Sequence, residues 1–196
     1  RQRQMCIRDR NTYSADTNEK ESLRNDLAKT KSKIIFETNR DGNWELYVMN
    51  ADGSDPFNLT KTPDQDELYP HASRDGRKVC FVVDEEKQRM GRSQRVRNVY
   101  YMNIDGSGRT LVAENAADPC WNPDGTKIAY TKRKTSKYSI TDYHTRGIFI
   151  YDLATGTTKQ IPNKNIMHAY AVDWSPDGNW LVYTVHQAMG FGHAIV

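Results

Sequence analysis

The chain has 196 residues, 28 Lys and Arg against 25 Asp and Glu, a formal net charge of +3 and a mean hydropathy of −0.85. Hydrophobic residues at 37%, with four Trp and eleven Tyr, suffice for a core and exclude wholesale disorder. The longest apolar run lies within Lys78–Val83 and is strand-sized, so no transmembrane helix and no membrane insertion are expected.

Residues 1–10 hold Arg1, Arg3, Arg8 and Arg10 against Asp9, which accounts for the whole net charge; the remainder carries 24 basic and 24 acidic residues. The balance therefore gives no reason to expect nucleic acid as a partner. Met5–Arg10 resembles translated sequencing-adapter read-through, and 1–10 is set apart as an artefactual or disordered leader. Residues 11–30 read as a linker with room for a short helix over Asn18–Lys29.

From residue 31 the chain repeats. Ser73-Arg-Asp75-Gly76, Asn122-Pro-Asp124-Gly125 and Ser175-Pro-Asp177-Gly178 have glycines 49 and 53 residues apart. Each leads into an apolar run: Val79-Cys-Phe81, Ile128-Ala-Tyr130 and Leu181-Val-Tyr183. A second set, Leu46–Ser54, Val99–Ser107 and Ile148–Gly156, starts at intervals of 53 and 49. Two motif sets in fixed order at one period define a repeat protein. Pro presets φ at the second turn position and Gly supplies the left-handed conformation, so each Asp-Gly marks a hairpin between strands rich in Val, Ile, Tyr and Phe.

Four strands per repeat of this length predict an all-β fold, a partial β-propeller of about 3.5 four-stranded blades in an incomplete ring. The blades are placed at 31–62 (lacking an inner strand), 63–113, 114–162 and, in part, 163–196. A strand ladder ending at Val196 would leave open edges, so a fragment of a larger protein is expected. Strands are predicted near 33–38, 44–50, 78–83, 98–103, 127–132, 147–152 and 180–185.

The Ser-Pro-Asp-Gly turn followed by Trp180-Leu-Val-Tyr183, and Leu46–Ser54 followed by Asn58-Leu-Thr60, resemble the WD40-like (PD40) repeats of TolB-type propellers. The resemblance covers roughly residues 31–196 and implies a non-enzymatic platform for protein or cell-envelope partners, periplasmic or otherwise extracytoplasmic. An enzyme is the rival reading: a propeller lyase, or the substrate-gating propeller of a serine hydrolase. No Gly-x-Ser-x-Gly elbow, Walker A motif or EF-hand spacing occurs in the chain.

Site candidates fall in two groups. Asp84–Arg97 and Lys132–Arg146 read as long loops sharing one face, and length concentrated on a face points to function there. Arg89, Arg92, Arg95, Arg97, Arg133 and Lys134 would give that face a patch for a protein or an anionic polymer, against the plainer reading of solvated loops balanced by Asp84, Glu85, Glu86 and Asp142. His144, His168, His186, Gln187 and His193 are the residue types of a divalent-metal site and in that respect resemble oligogalacturonate lyases; isolated hydrogen-bonding side chains are the alternative. No cofactor is expected. Cys6, Cys80 and Cys120 show no C-x-x-C spacing, and Cys80 reads as a small buried apolar residue, with a Cys80–Cys120 disulfide the alternative. His71, Cys120 and Asp173 align in one inner-strand column.

Overall fold

Apolar runs punctuated by Asp-Gly turns become strands in chain order. The computed structural model describes residues 17–89, 92–133, 145–162, 169–186 and 193–195. A helix, α1 (Thr17–Ala28), precedes a three-stranded sheet of β1 (Lys33–Thr38), β2 (Glu45–Asn50) and β3 (Phe57–Asn58). A four-stranded sheet follows: β4 (Asp66–Ala72), β5 (Lys78–Arg89), β6 (Arg92–Asn103) and β7 (Thr110–Glu114). The third sheet holds β8 (Ala116–Trp121), β9 (Lys127–Arg133), β10 (Thr145–Asp152) and β11 (Thr157–Gln160). The fourth holds β12 (Ala169–Trp174), β13 (Leu181–His186) and β14 (His193–Ile195). Every strand pairs with its sequence neighbour within its own sheet, and 78–83 and 127–132 belong to different sheets. This is the all-β, partial β-propeller architecture, with the ring unclosed.

The chain divides into two compact units, one holding residues up to Ile34 with Val48–Phe57, the other Ile35–Tyr47 with the chain from Asn58 on. In the smaller unit Asp52 Oδ1 accepts from the Ser54 backbone N–H at 3.0 Å, and Arg24 Nε donates to the Asp52 carbonyl at 3.2 Å.

In the larger unit the turns explain the period. Ser73 Oγ, Asn122 Nδ2 and Ser175 Oγ each donate to the carboxylate two residues on, at 2.6, 2.6 and 2.5 Å. The same carboxylate oxygen accepts from the backbone N–H of Arg77, Thr126 or Asn179 at 2.9–3.1 Å. Gly76, Gly125 and Gly178 sit at φ of 68°, 71° and 75°, where a side chain is strained. These bonds, led by those from the Ser73, Thr126 and Ser175 hydroxyls, hold the Asp75, Asp124 and Asp177 carboxyls below their ordinary range.

A second repeated device was not legible in the sequence. The inner strands β4, β8 and β12 each slip register, and Tyr69, Asp118 and Ala171 there adopt φ of 55°, 52° and 51°. A carboxylate of the preceding sheet accepts from two of these bulges: Glu37 Oε2 from the Tyr69 N–H at 2.6 Å, and Asp118 Oδ2 from the Ala171 N–H at 3.2 Å. Bulges of this kind re-aim side chains along a strand.

The apolar stretches of β5 and β9 are buried on both faces, which is why they read as continuous apolar runs. Val79, Cys80, Phe81, Val82 and Val83 of β5 are all inaccessible, as are Ile128 and Ala129 of β9. The seam between the second and third sheets centres on Trp121, which is 3% exposed and packs with Cys80, Val82, Val99, Ile128 and Tyr130. Its indole Nε1 donates to the His71 carbonyl at 3.0 Å, and the Tyr101 ring meets it edge-on at 6.0 Å. The next seam, with Cys120, Ala129, Ile148, Ala169 and Val172 at its centre, takes the half-buried Trp174 against it.

Candidate functional site: the β5–β6 hairpin and the inner-strand wall

Asp84–Arg97 is not a loop. β5 and β6 stay paired without a register break from Lys78↔Asn103 to Arg89↔Arg92. Pairing is what holds a run with so few apolar residues extended: Asp84 lies opposite Arg97, and Glu86 opposite Arg95. Arg97 is buried and grips the buried Asp84 with two bonds of 2.6 Å, Nε to Oδ1 and Nη2 to Oδ2. Its guanidinium also lies 5.3 Å from the Tyr69 ring centre. Arg95 bonds to Asp66 and approaches Asp84 at 3.6 Å. Lys87 pairs with Glu85 at 3.0 Å and Glu114 at 3.6 Å, and its ammonium pKa is raised, chiefly by the bond to Glu85.

Of the six cations proposed from sequence, Arg95 and Arg97 thus brace the hairpin root through Asp66 and Asp84. Arg89 and Arg92 are register partners at the hairpin's far end, and their side chains lie outside the described residues. Arg133 ends β9 opposite Thr145 and its backbone N–H bonds to the Asn115 carbonyl at 2.9 Å. Lys134 lies outside the described residues, as do most of Lys132–Arg146. Among the metal candidates, His144, His168 and Gln187 are also outside them; His186 and His193 are register partners across β13 and β14, without described side chains. Among the described residues no group of three or more His, Cys, Asp or Glu is placed to hold a metal ion.

On the opposite, tight-turn side the inner-strand column lines a shallow cavity of about 260 Å³ with His71, Arg74, Pro123, Asp173 and Trp174 among its walls. His71 Nδ1 accepts from the Trp121 backbone N–H at 3.4 Å. Burial lowers the His71 pKa, and the charge of Asp173 opposes that shift. Cys80 and Cys120 are free and buried, and burial raises both thiols far above their ordinary value, so neither is primed as a nucleophile.

Sequence reasoning missed one buried polar cluster. Glu67, fully inaccessible, accepts from Thr62 Oγ1 at 2.5 Å and from Arg109 Nη2 at 2.8 Å. Arg109 lies 5.4 and 5.1 Å from the Phe81 and Tyr100 ring centres, and donates to Gln65 Oε1 at 2.6 Å. Burial pushes the Glu67 carboxyl up, against the bonds from Thr62 and Arg109. Partners 42 residues apart leave no spacing signal.

No family model matches the chain. Among solved structures, TolB from Acinetobacter baumannii aligns with a TM-score of 0.59 at 19% identity, over 83% of this chain and 38% of that one. The putative TolB from Agrobacterium tumefaciens gives the same score and identity over 83% of this chain and 53% of its own. The chain has the fold of the TolB β-propellers. By sequence, the Tol-Pal system protein TolB of Alcanivorax borkumensis is 35% identical over 88 residues, 43% of this chain and 18% of that protein. Dipeptidyl-peptidase 5 of Porphyromonas endodontalis is 23% identical across 81% of this chain and 29% of its own length. This TolB-like chain spans only part of the length of each relative it matches.

Proposed function

We propose that this TolB-like propeller is a non-enzymatic binding module for protein partners of the cell envelope, working outside the cytoplasm. The 35% identity to a Tol-Pal system TolB over 88 residues is the observation that carries this reading. We place the partner surface on the β5–β6 hairpin, whose strands carry Arg89 and Arg92.

A second reading has one observation behind it, the match to a dipeptidyl-peptidase over 81% of the chain. There the propeller would gate access to a hydrolase domain. A propeller hosts both roles, so the fold does not choose between them. Labelling the full-length protein with a serine-directed fluorophosphonate separates the two. No labelling, together with recovery in the extracytoplasmic fraction, is expected; labelling with turnover of a dipeptidyl-nitroanilide would overturn the binding-module reading.

A further inference from the structure

Three consecutive repeats build the shallow cavity of the tight-turn side, at the end of β5 opposite the β5–β6 hairpin. The second sheet and its first turn give it His71 and Arg74, the third Trp121 and Pro123, the fourth Asp173 and Trp174. Trp121 and Trp174 belong to the seams between sheets. Arg74 and Asp173 have no such role. At about 260 Å³ the cavity lies just below the roughly 300–1,000 Å³ of most ligand pockets, which restricts it to a small occupant.

Arg74 occupies the turn position at which the next two repeats carry Pro123 and Pro176. Proline presets φ there, and Arg74 gives that advantage up; such breaks of a local preference gather at functional or strained sites. Arg74 is exposed, and its guanidinium has no hydrogen-bond or ion-pair partner among the described residues. Asp173, from the fourth sheet, is exposed as well and forms no ion pair among them. Its Oδ1 takes the Trp174 backbone N–H at 2.8 Å, and Oδ2 is open. The charges nearby are committed: Asp75 and Asp177 cap their own turns, and Arg77 stands 3.9 Å from Asp75. His71 adds a donor. Its Nδ1 accepts from the Trp121 N–H, so the proton of the neutral ring, which burial favours, sits on Nε2 without a partner among the described residues.

Going beyond the protein-binding reading, we propose that this cavity is a site for a zwitterionic peptide of dipeptide size, its carboxylate on Arg74 and the His71 Nε2–H and its terminal ammonium on Asp173. Arg74 and Asp173 form no salt bridge with each other, so one molecule that answers both must carry opposite charges at its two ends. An inorganic anion would meet the charge of Asp173, and a simple cation that of Arg74. Pro123 and the Trp174 ring suit a short aliphatic middle. A concave, partly apolar wall also strengthens pairings that would be screened on an open surface.

The test is isothermal titration calorimetry of the full-length protein with dialanine. Saturable binding with a dissociation constant of about 1 mM or tighter is expected. N-acetyl-dialanine lacks the ammonium and dialanine amide lacks the carboxylate, and each should bind at least tenfold more weakly. Arg74→Pro installs the residue of the next two repeats and so suits the turn; Asp173→Asn keeps the shape of the side chain. Each should weaken dialanine at least tenfold, while Arg77→Gln, on the same turn as Arg74, should leave it unchanged. Thermal melts by circular dichroism check that the variants keep the fold. No saturable binding, equal binding of either capped peptide, or unchanged binding by either Arg74→Pro or Asp173→Asn would overturn the site. Those results leave the protein-binding reading intact; that reading falls instead on fluorophosphonate labelling with turnover.

Discussion

Trp121 and Trp174 hold the same place in successive repeats, each after an inner-strand bulge and before an Asp-Gly turn, yet their surroundings differ. Trp121 is 3% exposed between two sheets and bonds the His71 carbonyl; Trp174 is half-buried, and Trp180, past the Asp177-Gly178 turn, is 71% exposed. Replacing each by Ala should give a graded loss of stability. Removing Trp121 takes away a closed seam contact and leaves the His71 carbonyl with only the weak Cys80 thiol donor, so about 3–5 kcal/mol is expected. Trp174→Ala, with less area to lose, should cost about half of that, and Trp180→Ala about 0.5 kcal/mol or less. Trp121→Phe keeps most of the ring and loses the indole donor, for about 1–2 kcal/mol. Urea titrations followed by far-ultraviolet circular dichroism measure the series. Equal losses for Trp121 and Trp180, or less than about 1 kcal/mol for Trp121→Ala, would refute the assignment of the seam as the main source of inter-sheet stability.

Three further expectations follow from the same contacts. Because burial depresses the His71 pKa, the unfolded chain takes up the proton first; stability rises with pH and is lost as pH falls below about 6.5, and His71→Asn should flatten that slope between pH 6.5 and 5.5 in thermal melts. Arg97→Met should cost about 3 kcal/mol by leaving the buried Asp84 with only the 3.6 Å approach of Arg95, with most of the loss recovered in the Asp84→Asn/Arg97→Met double variant, as read by a double-mutant cycle in urea. Gly125→Ala, at φ of 71°, should cost about 1 kcal/mol and Gly125→Asn less, since Asn tolerates the left-handed region.

The blade period, the turns and most strand positions were legible because they rest on local chemistry: an Asp carboxylate capping its own turn, and Gly where φ is positive. The helix at Thr17–Ala28 falls where a short one had room over Asn18–Lys29. Asp84–Arg97 was misread as a loop for a physical reason. Its strands are held by cross-strand pairs such as Asp84 with Arg97, 13 residues apart, and charged runs without apolar alternation carry no strand signal. The same pairing changed the meaning of the basic residues, since Arg95 and Arg97 turned from candidate ligand contacts into braces. The Glu67–Arg109 bond joins the first strand of a sheet to the turn before its last, 42 residues on, and two of the inner-strand bulges are met by a carboxylate of the preceding sheet; neither is encoded in a single stretch of sequence.

The central claim is that the full-length protein is a binding module of the TolB kind. Surface plasmon resonance of that protein against the purified proteins of a Tol-Pal system tests it most directly. Saturable binding to at least one of them, weakened by added salt, is the expected result; no binding to any of them, alongside catalytic turnover of a peptide substrate by the same preparation, would contradict it.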